Sequence, residues 1–586
     1  MAEQRRDGYV PIGDYAVLGD GRTVALAAAD GRIDWLPLPA LHAPPVFAAL
    51  LDPAEGGYLE LRPRQPFTVT RRYRGNAPIL ESTYTTTDGS VRVVEALTGP
   101  QSWGELVRRA DGLAGHVPMT WTVRPGTRFG TAQPWTEGLV VHCGDQHLAI
   151  RCFDAGDPVV TAQAVTGEFT TAPGSSAIVA LACGDDGPVP LPGRGDLIGR
   201  LDAVQGRWRS WESALTYDGR WRDAVWRSAL MLKLLQFGPT GAVAAAATTS
   251  LPERIGGDQN WDYRYMWVRD AAFTVDALLG LRLEAEAHAA LSFLLRCISS
   301  TGPELKVFYR LDGGLDDSEQ RLTAPGYRGS RPVRSGNSAA GQTQLGTYGH
   351  LLDAVGRYLD AGHVLDPRTG RLLADVADRC CDDWKGADSG IWELPDDRHY
   401  TQSKMGCWAA LDRAVRLHEQ GRIPSNHADR WRRERDLIHD WVDEHCWSPA
   451  KNAYTFYAGT DDLDAATLLA AQTGFDRGAR LAGTVDAIRR ELADGPLIHR
   501  YTGSRGREGA FLACSFWLAS ALAALGRRDE AAGQMDATVA LANDLGILSE
   551  EISVKDHGAL GNVPQALSHL ALISAALQID PAAAGQ

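Results

Sequence analysis

Over residues 1–205 apolar and polar positions tend to alternate in short runs rich in β-branched residues, as in Leu80–Thr87, Ser90–Ala96 and Leu139–Cys143. A period of two is that of strands with one face buried, and turn pairs such as Asp30-Gly31 and Asp88-Gly89 punctuate the runs. The pattern predicts many short antiparallel strands, hence a sandwich. Gly187–Gly195, rich in Pro and Gly, reads as its exit loop. From about Leu201 the apolar spacing changes to three and four, with Ala and Leu abundant. Helices are predicted near 218–237, 268–283, 284–298, 340–360, 371–384, 402–420, 426–445, 478–492, 509–526, 528–544 and 563–578. So many helices, often paired and joined by polar loops, suggest a helical barrel or toroid whose inner helices are apolar on most sides. The expected organisation is a β-sandwich domain over 1–205, a linker over 206–217 and a helical domain over 218–586.

Composition narrows the partners. The formal net charge is −14, which disfavours nucleic acid because phosphate binding needs a basic surface. Met1–Gly8 has no apolar core following its charges, so no export signal is expected. The uncharged stretch Gly509–Leu525 contains Gly, Cys and two Ser between polar flanks, and reads as a buried helix rather than a membrane span. The nine cysteines include the adjacent pair Cys380-Cys381 and no CxxC spacing. An odd count without an export signal fits reduced thiols and a cytoplasmic location. Neither a metal-ligand cluster nor a phosphate loop is read, so no cofactor is expected. Homo-oligomerisation stays open.

The candidate chemistry lies in separated carboxylates among aromatic rings. Glu393 closes Ser389–Glu393 beside Trp392, and Glu550-Glu551 close Leu545–Glu551. Glycosidic bond cleavage uses such a pair: one carboxylic acid protonates the leaving oxygen and an ionised partner works on the other face of the sugar. An apolar neighbour such as Trp392 raises a carboxyl pKa, as a general acid requires. Taken alone, a Glu in a loop is usually only solvated, and adjacent acids are common. The densest cluster, Asn260–Asp270, interleaves Asp262, Arg264, Arg269 and Asp270 with four large aromatics before a helix. It reads as a sugar site or as a packed aromatic corner between domains. Tyr327–Asn337 is a donor-rich polar loop.

These segments together resemble glycoside hydrolase family 15, the glucoamylase and bacterial trehalase type. The likeness runs through Pro11–Thr23, Asp30–Leu36, Ser250–Glu253, Asn260–Tyr265, Trp267–Asp270, Tyr327–Arg334, Gly390–Glu393, Glu508–Leu512, Ser549–Glu551 and Gly561–His569. The resemblance implies an N-terminal antiparallel β-super-sandwich followed by an (α/α)6 barrel. It implies Glu393 as general acid and Glu550 as general base, with Glu551 ranked second for that role. Tyr263, Trp267, Arg269 and Asp270 match positions that line the pocket for a terminal glucose. Trp392 and Arg331 are expected beside them, Arg331 as a donor to sugar hydroxyls. The implied reaction is inverting, exo-acting hydrolysis of short α-gluco-oligosaccharides or α,α-trehalose, with the carboxyl groups roughly 6.5–9.5 Å apart to admit water.

Some positions depart from the pattern of bacterial relatives. They are Leu41–Pro44, Gln259 where Arg is common, Gly346 where Asp is common, Gln402 where His is common and Ser553 where Asp is common. The acid and base survive these changes, so the substitutions bear on substrate choice. Two other classes remain open at this stage. One is a disaccharide phosphorylase or glucosyl-transfer enzyme, which replaces the base with a phosphate site. The other is a hydrolase-derived carbohydrate-binding or biosynthetic protein.

Overall fold

In the computed structural model, which describes residues 5–99, 103–184, 188–315 and 318–584, the N-terminal alternation builds two eight-stranded antiparallel sheets. The first runs Ala16–Gly19, Val24–Ala27, Arg32–Pro37, Tyr58–Pro63, Val117–Arg124, Val165–Thr171 and Val159–Val160, with Pro45–Phe47 added beside Arg32–Pro37. The second runs Trp135–Glu137, Val140–Cys143, Gln146–Phe153, Ser176–Gly184, Trp103–Gly115, Gly89–Leu97, Leu80–Thr86 and Thr68–Tyr73. Val117–Arg124 shows the physics plainly: Val117, Met119, Trp121 and Val123 are buried while the residues between them are not. The inward sets of both sheets join one apolar core.

Helix α1 (Arg194–Glu212) follows the second sheet. Its Leu197, Leu201 and Val204 pack on Ile79, Val94, Val107, Ile178 and Ala180 of that sheet. The expected boundary at 205 and linker over 206–217 therefore fall partly inside a helix, with the residues from Ser213 on running outside it. Three apolar residues at a spacing of four and three hold α1 to the sheet, too few to stand out from its many charged neighbours.

The remaining helices are α2 (Arg222–Leu235), α3 (Val268–Gly280), α4 (Glu284–Thr301), α5 (Thr347–Asp360), α6 (Pro367–Asp383), α7 (Thr401–Glu419), α8 (Ala428–His445), α9 (Ala470–Thr473), α10 (Ala479–Glu491), α11 (Leu512–Ala524), α12 (Arg528–Val539) and α13 (Ala566–Ile579). Contacts run from α3 to α5, to α7, to the turn Ala465–Leu469 with α9, to α11, to α13 and back to α3. The intervening helices pack outside these. Burial follows that placement, since α11 buries every residue from Leu512 to Leu522, whereas α8 buries few and is mostly charged. Among the described residues no helix is long and apolar enough to cross a membrane.

The sheet unit props the loops ahead of α3 and α5. The Trp35 indole donates to the Ala247 carbonyl at 3.0 Å, and Arg264 donates to the Ala43 carbonyl at 3.0 Å. The Tyr9 and Tyr327 hydroxyls donate reciprocally to the Gly326 and Val10 carbonyls, each at 2.8 Å.

Candidate active site

The inner helices begin at one side of their ring, and the loops entering them meet around a cavity of about 350 Å³. Trp267 caps α3, Asn337 and Gln342 precede α5, Trp392 and Glu393 precede α7, Phe511 caps α11 and Gln565 caps α13; all of them line the cavity. The volume lies at the small end of the roughly 300–1,000 Å³ range for small-molecule sites.

One wall is built from the loop before α7. Glu393 sits at φ 58°, a left-handed conformation that costs a side-chain-bearing residue on the order of 1–2 kcal/mol. The strain is held by Gln342, whose amide donates to the Glu393 carbonyl at 3.1 Å, and by Arg269, which donates to the Ile391 carbonyl at 3.0 Å. The Trp267 indole N–H donates to Glu393 Oε1 at 2.6 Å. Burial pushes the Glu393 carboxyl above its ordinary pKa; Arg269 and the Trp267 bond oppose that, and Asp270 adds to it. Arg269 is fixed against Asp270 at 2.6 Å. Trp392 donates its N–H to Asp464 at 2.8 Å, so the ring beside Glu393 is held from behind.

The opposite wall comes from a three-stranded ribbon of Ala510–Phe511, Glu551–Ile552 and Ala559–Leu560. Its ladder extends to Glu550, whose N–H donates to the Asn562 carbonyl and whose carbonyl accepts from Leu512 N. Successive side chains on an extended segment point to opposite faces. Glu550 therefore reaches the cavity, whereas Glu551 points behind it, accepting from Gly509 N at 2.8 Å. Glu550 Oε2 accepts from Asn562 N at 3.1 Å, and Tyr263 hydrogen-bonds the same carboxyl. Gly561, at φ 69°, leaves the space this side chain needs, since a Cβ there would collide with it. Burial, and then the neighbouring Glu253 carboxylate, push Glu550 well above the ordinary carboxylate range, with Arg500 opposing. Burial pushes the Tyr263 phenol well up, and the Glu550, Glu253 and Glu393 carboxylates add to it.

Of the residues expected at a site, Glu393, Glu550, Tyr263, Trp267, Arg269, Asp270 and Trp392 all line this one cavity. Two do not. Arg331 is exposed and donates to the Pro325 carbonyl at 3.3 Å. Three residues on, Arg334 turns inward to the Asn260 and Asp258 carbonyls and lies over the Trp261 ring. Glu551 is fully buried behind the wall, the consequence of the two-residue period. Asp262 and Arg264 of the dense aromatic segment do not line the cavity and pair with each other at 2.7 Å, whereas Trp261, Tyr263 and Trp267 of the same segment line it.

Sequence reasoning assigned no role to Glu253, Arg500, Gln342 or Gln565. Glu253 and Arg500 are 247 positions apart in the chain yet bond at 2.7 Å, a pairing without a local sequence signal. Four buried acceptor atoms of lining residues have no hydrogen-bond partner: Asp270 Oδ2, Gln342 Oε1, Gln565 Oε1 and Glu253 Oε1. Buried acceptors without donors are costly unless a ligand supplies them, and a polyhydroxylated ligand supplies several at once.

Comparison with known proteins agrees with this chemistry. Residues 219–577 match the model of glycosyl hydrolases family 15, and residues 6–188 match a trehalase-like N-terminal domain. A trehalase of Thermoplasma acidophilum is 33% identical over 95% of this chain and 98% of its own. Trehalases of Thermoplasma volcanium and Mycolicibacterium smegmatis are 31% and 32% identical, each over 98% of this chain and over 94% and 92% of their own. A bacterial glucoamylase solved with acarbose shares the fold, with a TM-score of 0.71 at 12% identity over 98% of this chain and 95% of that one.

Proposed function

This chain belongs to glycosyl hydrolases family 15 and is a glycoside hydrolase, and we propose that it hydrolyses α,α-trehalose with inversion, Glu393 serving as general acid and Glu550 as general base. The observation that carries this reading is that Glu393 and Glu550, brought in by separate loops, both line one small cavity. Trehalose is favoured over longer α-glucosides because the trehalases it resembles match nearly the whole chain. The helical unit is read as an (α/α)6 barrel from about residue 218, on the strength of the six inner contacts that return to α3. The N-terminal unit is read as a β-super-sandwich extended by α1.

In the proposed reaction the Glu393 proton passes to the glycosidic oxygen as the C–O bond breaks. A water molecule attacks the anomeric carbon from the other face and gives its proton to Glu550. Acid–base assistance of this kind supplies about 10²–10⁴-fold. Asp270 and the unpartnered amide oxygens of Gln342 and Gln565 accept from sugar hydroxyls and Arg269 donates to them, while Tyr263, Trp267 and Trp392 offer ring faces. Each half of trehalose is glucose, so an exo-acting enzyme needs only one closed glucose site and a wider mouth.

The test is glucose release from trehalose, maltose, isomaltose and maltotriose, with NMR observation of the first anomer formed. Trehalose as the best substrate is expected, with α- and β-glucose released from it in equal amounts, because the attacked half inverts and the departing half keeps its α configuration. Preference for maltotriose would overturn the substrate, initial release of α-glucose without β-glucose would overturn inversion, and phosphate-dependent formation of a sugar 1-phosphate would overturn hydrolysis.

A further inference from the structure

The N-terminal unit reaches the ribbon that carries Glu550. Asn543, between α12 and that ribbon, donates its amide N–H groups to the carbonyls of Gly13 and Tyr15, each at 3.1 Å. Its amide oxygen accepts from Leu545 N at 3.0 Å and from Ile547 N at 2.9 Å. An amide offers two donors and two lone pairs, so this side chain is fully used, half on its own loop and half on the sandwich. The main chain closes the same loop, with Asn543 N donating to the Ile547 carbonyl at 3.1 Å and Gly546 N to the Asn543 carbonyl at 2.9 Å. Beside it Arg71, on the strand Thr68–Tyr73, donates to Asp544 at 3.1 and 2.6 Å and to the Asp14 carbonyl at 2.6 Å.

The same part of the sandwich touches the other side of the ribbon. Gly13, in the turn Ile12–Asp14, lies against Ala559: a Cβ added at Gly13 would stand 3.4 Å from the Ala559 Cβ. The strand Ala559–Leu560 runs into Gly561 and Asn562, and Asn562 N is a donor to Glu550 Oε2. One short turn of the sandwich therefore meets both the loop that enters the Glu550 segment and the strand that returns to it, although 530 positions separate Gly13 from Asn543. Between these two holds α13 steadies the segment, with Leu548 N donating to His569 Nε2 at 3.2 Å and Ser568 Oγ to the Ser549 carbonyl at 2.9 Å. A base must meet the attacking water at hydrogen-bond distance, and a displacement of about 1 Å can lower a rate by about a hundredfold.

We propose that Asn543 is a positioning residue for hydrolysis: by tying the loop ahead of Glu550 to the main chain of Gly13 and Tyr15, it fixes the Glu550 carboxylate against the attacking water and makes the N-terminal sandwich a working part of the base wall. This rests on Glu550 being the base. Asn543 does not line the cavity, so it acts through Glu550 and not on the sugar. Trp267, Arg269 and Asp270 enter the cavity from the start of α3, so sugar affinity does not depend on this loop. Asn543→Asp is the sharpest probe. It keeps an oxygen for Leu545 N and Ile547 N and sets a second oxygen against the Gly13 and Tyr15 carbonyls, where two acceptors repel.

The test is a double-mutant cycle with Glu550, read on trehalose and on α-glucosyl fluoride. With the fluoride, the water oxygen bonds to the anomeric carbon, the C–F bonding pair leaves as fluoride without a proton from Glu393, and the water proton goes to Glu550, so turnover reports the base wall. Asn543→Asp should lower kcat about tenfold on both substrates and leave KM within about twofold. In a Glu550→Gln background the same change should lower residual kcat by less than about twofold, because the group it positions is already disabled. A merely structural Asn543 would reduce the active fraction by the same factor in both backgrounds. Arg71→Met, which releases the half-exposed Asp544, is the milder probe, with the same pattern expected at about threefold, and it decides where Asn543→Asp does not fold. Unchanged kcat in the folded variant, an equal loss in both backgrounds, or a loss confined to trehalose overturns the proposal. Full turnover in Glu550→Gln instead removes the base assignment itself.

Discussion

The two walls of the cavity raise their carboxyl groups by different means. Glu393 is lifted by desolvation in a strained loop and, to a lesser degree, by Asp270, against the opposing Arg269 and Trp267 N–H. Glu550 is lifted by desolvation together with like charge, in a ribbon backed by three more acids and a single arginine. In the proposed roles, similar shifts would serve opposite duties, since a general acid must hold a proton and a general base must be ionised when water attacks.

Substitutions probe that contrast in order of expected effect. Glu393→Gln and Glu550→Gln should each lower kcat on trehalose by about a hundredfold or more, the low end for a lost acid or base. Turnover retained in either variant would dissolve the opposition between the walls. Trp267→Phe removes the indole N–H that donates to Glu393 Oε1 at 2.6 Å. It should lower kcat about tenfold and move the alkaline limb of the pH profile upward, since a bond to the ionised form is lost. An unmoved limb would show that desolvation alone sets this wall.

Asp464→Asn, behind Trp392, should change turnover by no more than about twofold, an ordinary surface-like cost of ~0.4 kcal/mol, but should flatten the dependence of stability on pH. Burial raises the Asp464 carboxyl to about 7 from an ordinary 3.8. The folded protein then holds a proton that the unfolded chain has released. The associated stability is complete below about pH 4 and is lost as pH rises through about 7. Melting curves at pH 5 and pH 8.5 should show Asp464→Asn gaining on the native protein at the higher pH; a constant difference would show that Asp464 is ionised throughout. The smallest effect is expected from Arg331→Ala, which should leave kcat and KM within about twofold, since an exposed side chain bonded to one carbonyl contributes roughly 0.5 kcal/mol or less. A large rise in KM would bring Arg331 back to the cavity.

Much of the fold was legible in the sequence because its two periods are unambiguous. The alternation in Val117–Arg124 and the three-and-four spacing in 402–420 report burial directly. Helix α1 was missed because Leu197, Leu201 and Val204 are diluted by charged residues, and the turn Ala465–Leu469 because it is too short to show a period. In the site, the resemblance-bearing segments marked Glu393, Glu550 and the Trp267–Asp270 run, all of which reach one cavity. Arg331 failed because a polar loop has no period from which to read which arginine turns inward, and it is Arg334 that does.

The chain itself determined its strands, its helices and the places where acids stand beside aromatic rings, because those follow from spacing and local chemistry. Only the tertiary structure decided that Glu550 looks into the cavity while Glu551 looks away, and that Glu253, Glu508 and Arg500 meet behind them. Such meetings are made by packing between segments far apart in the chain, and the ionisation of a buried acid depends on which charges packing brings to it.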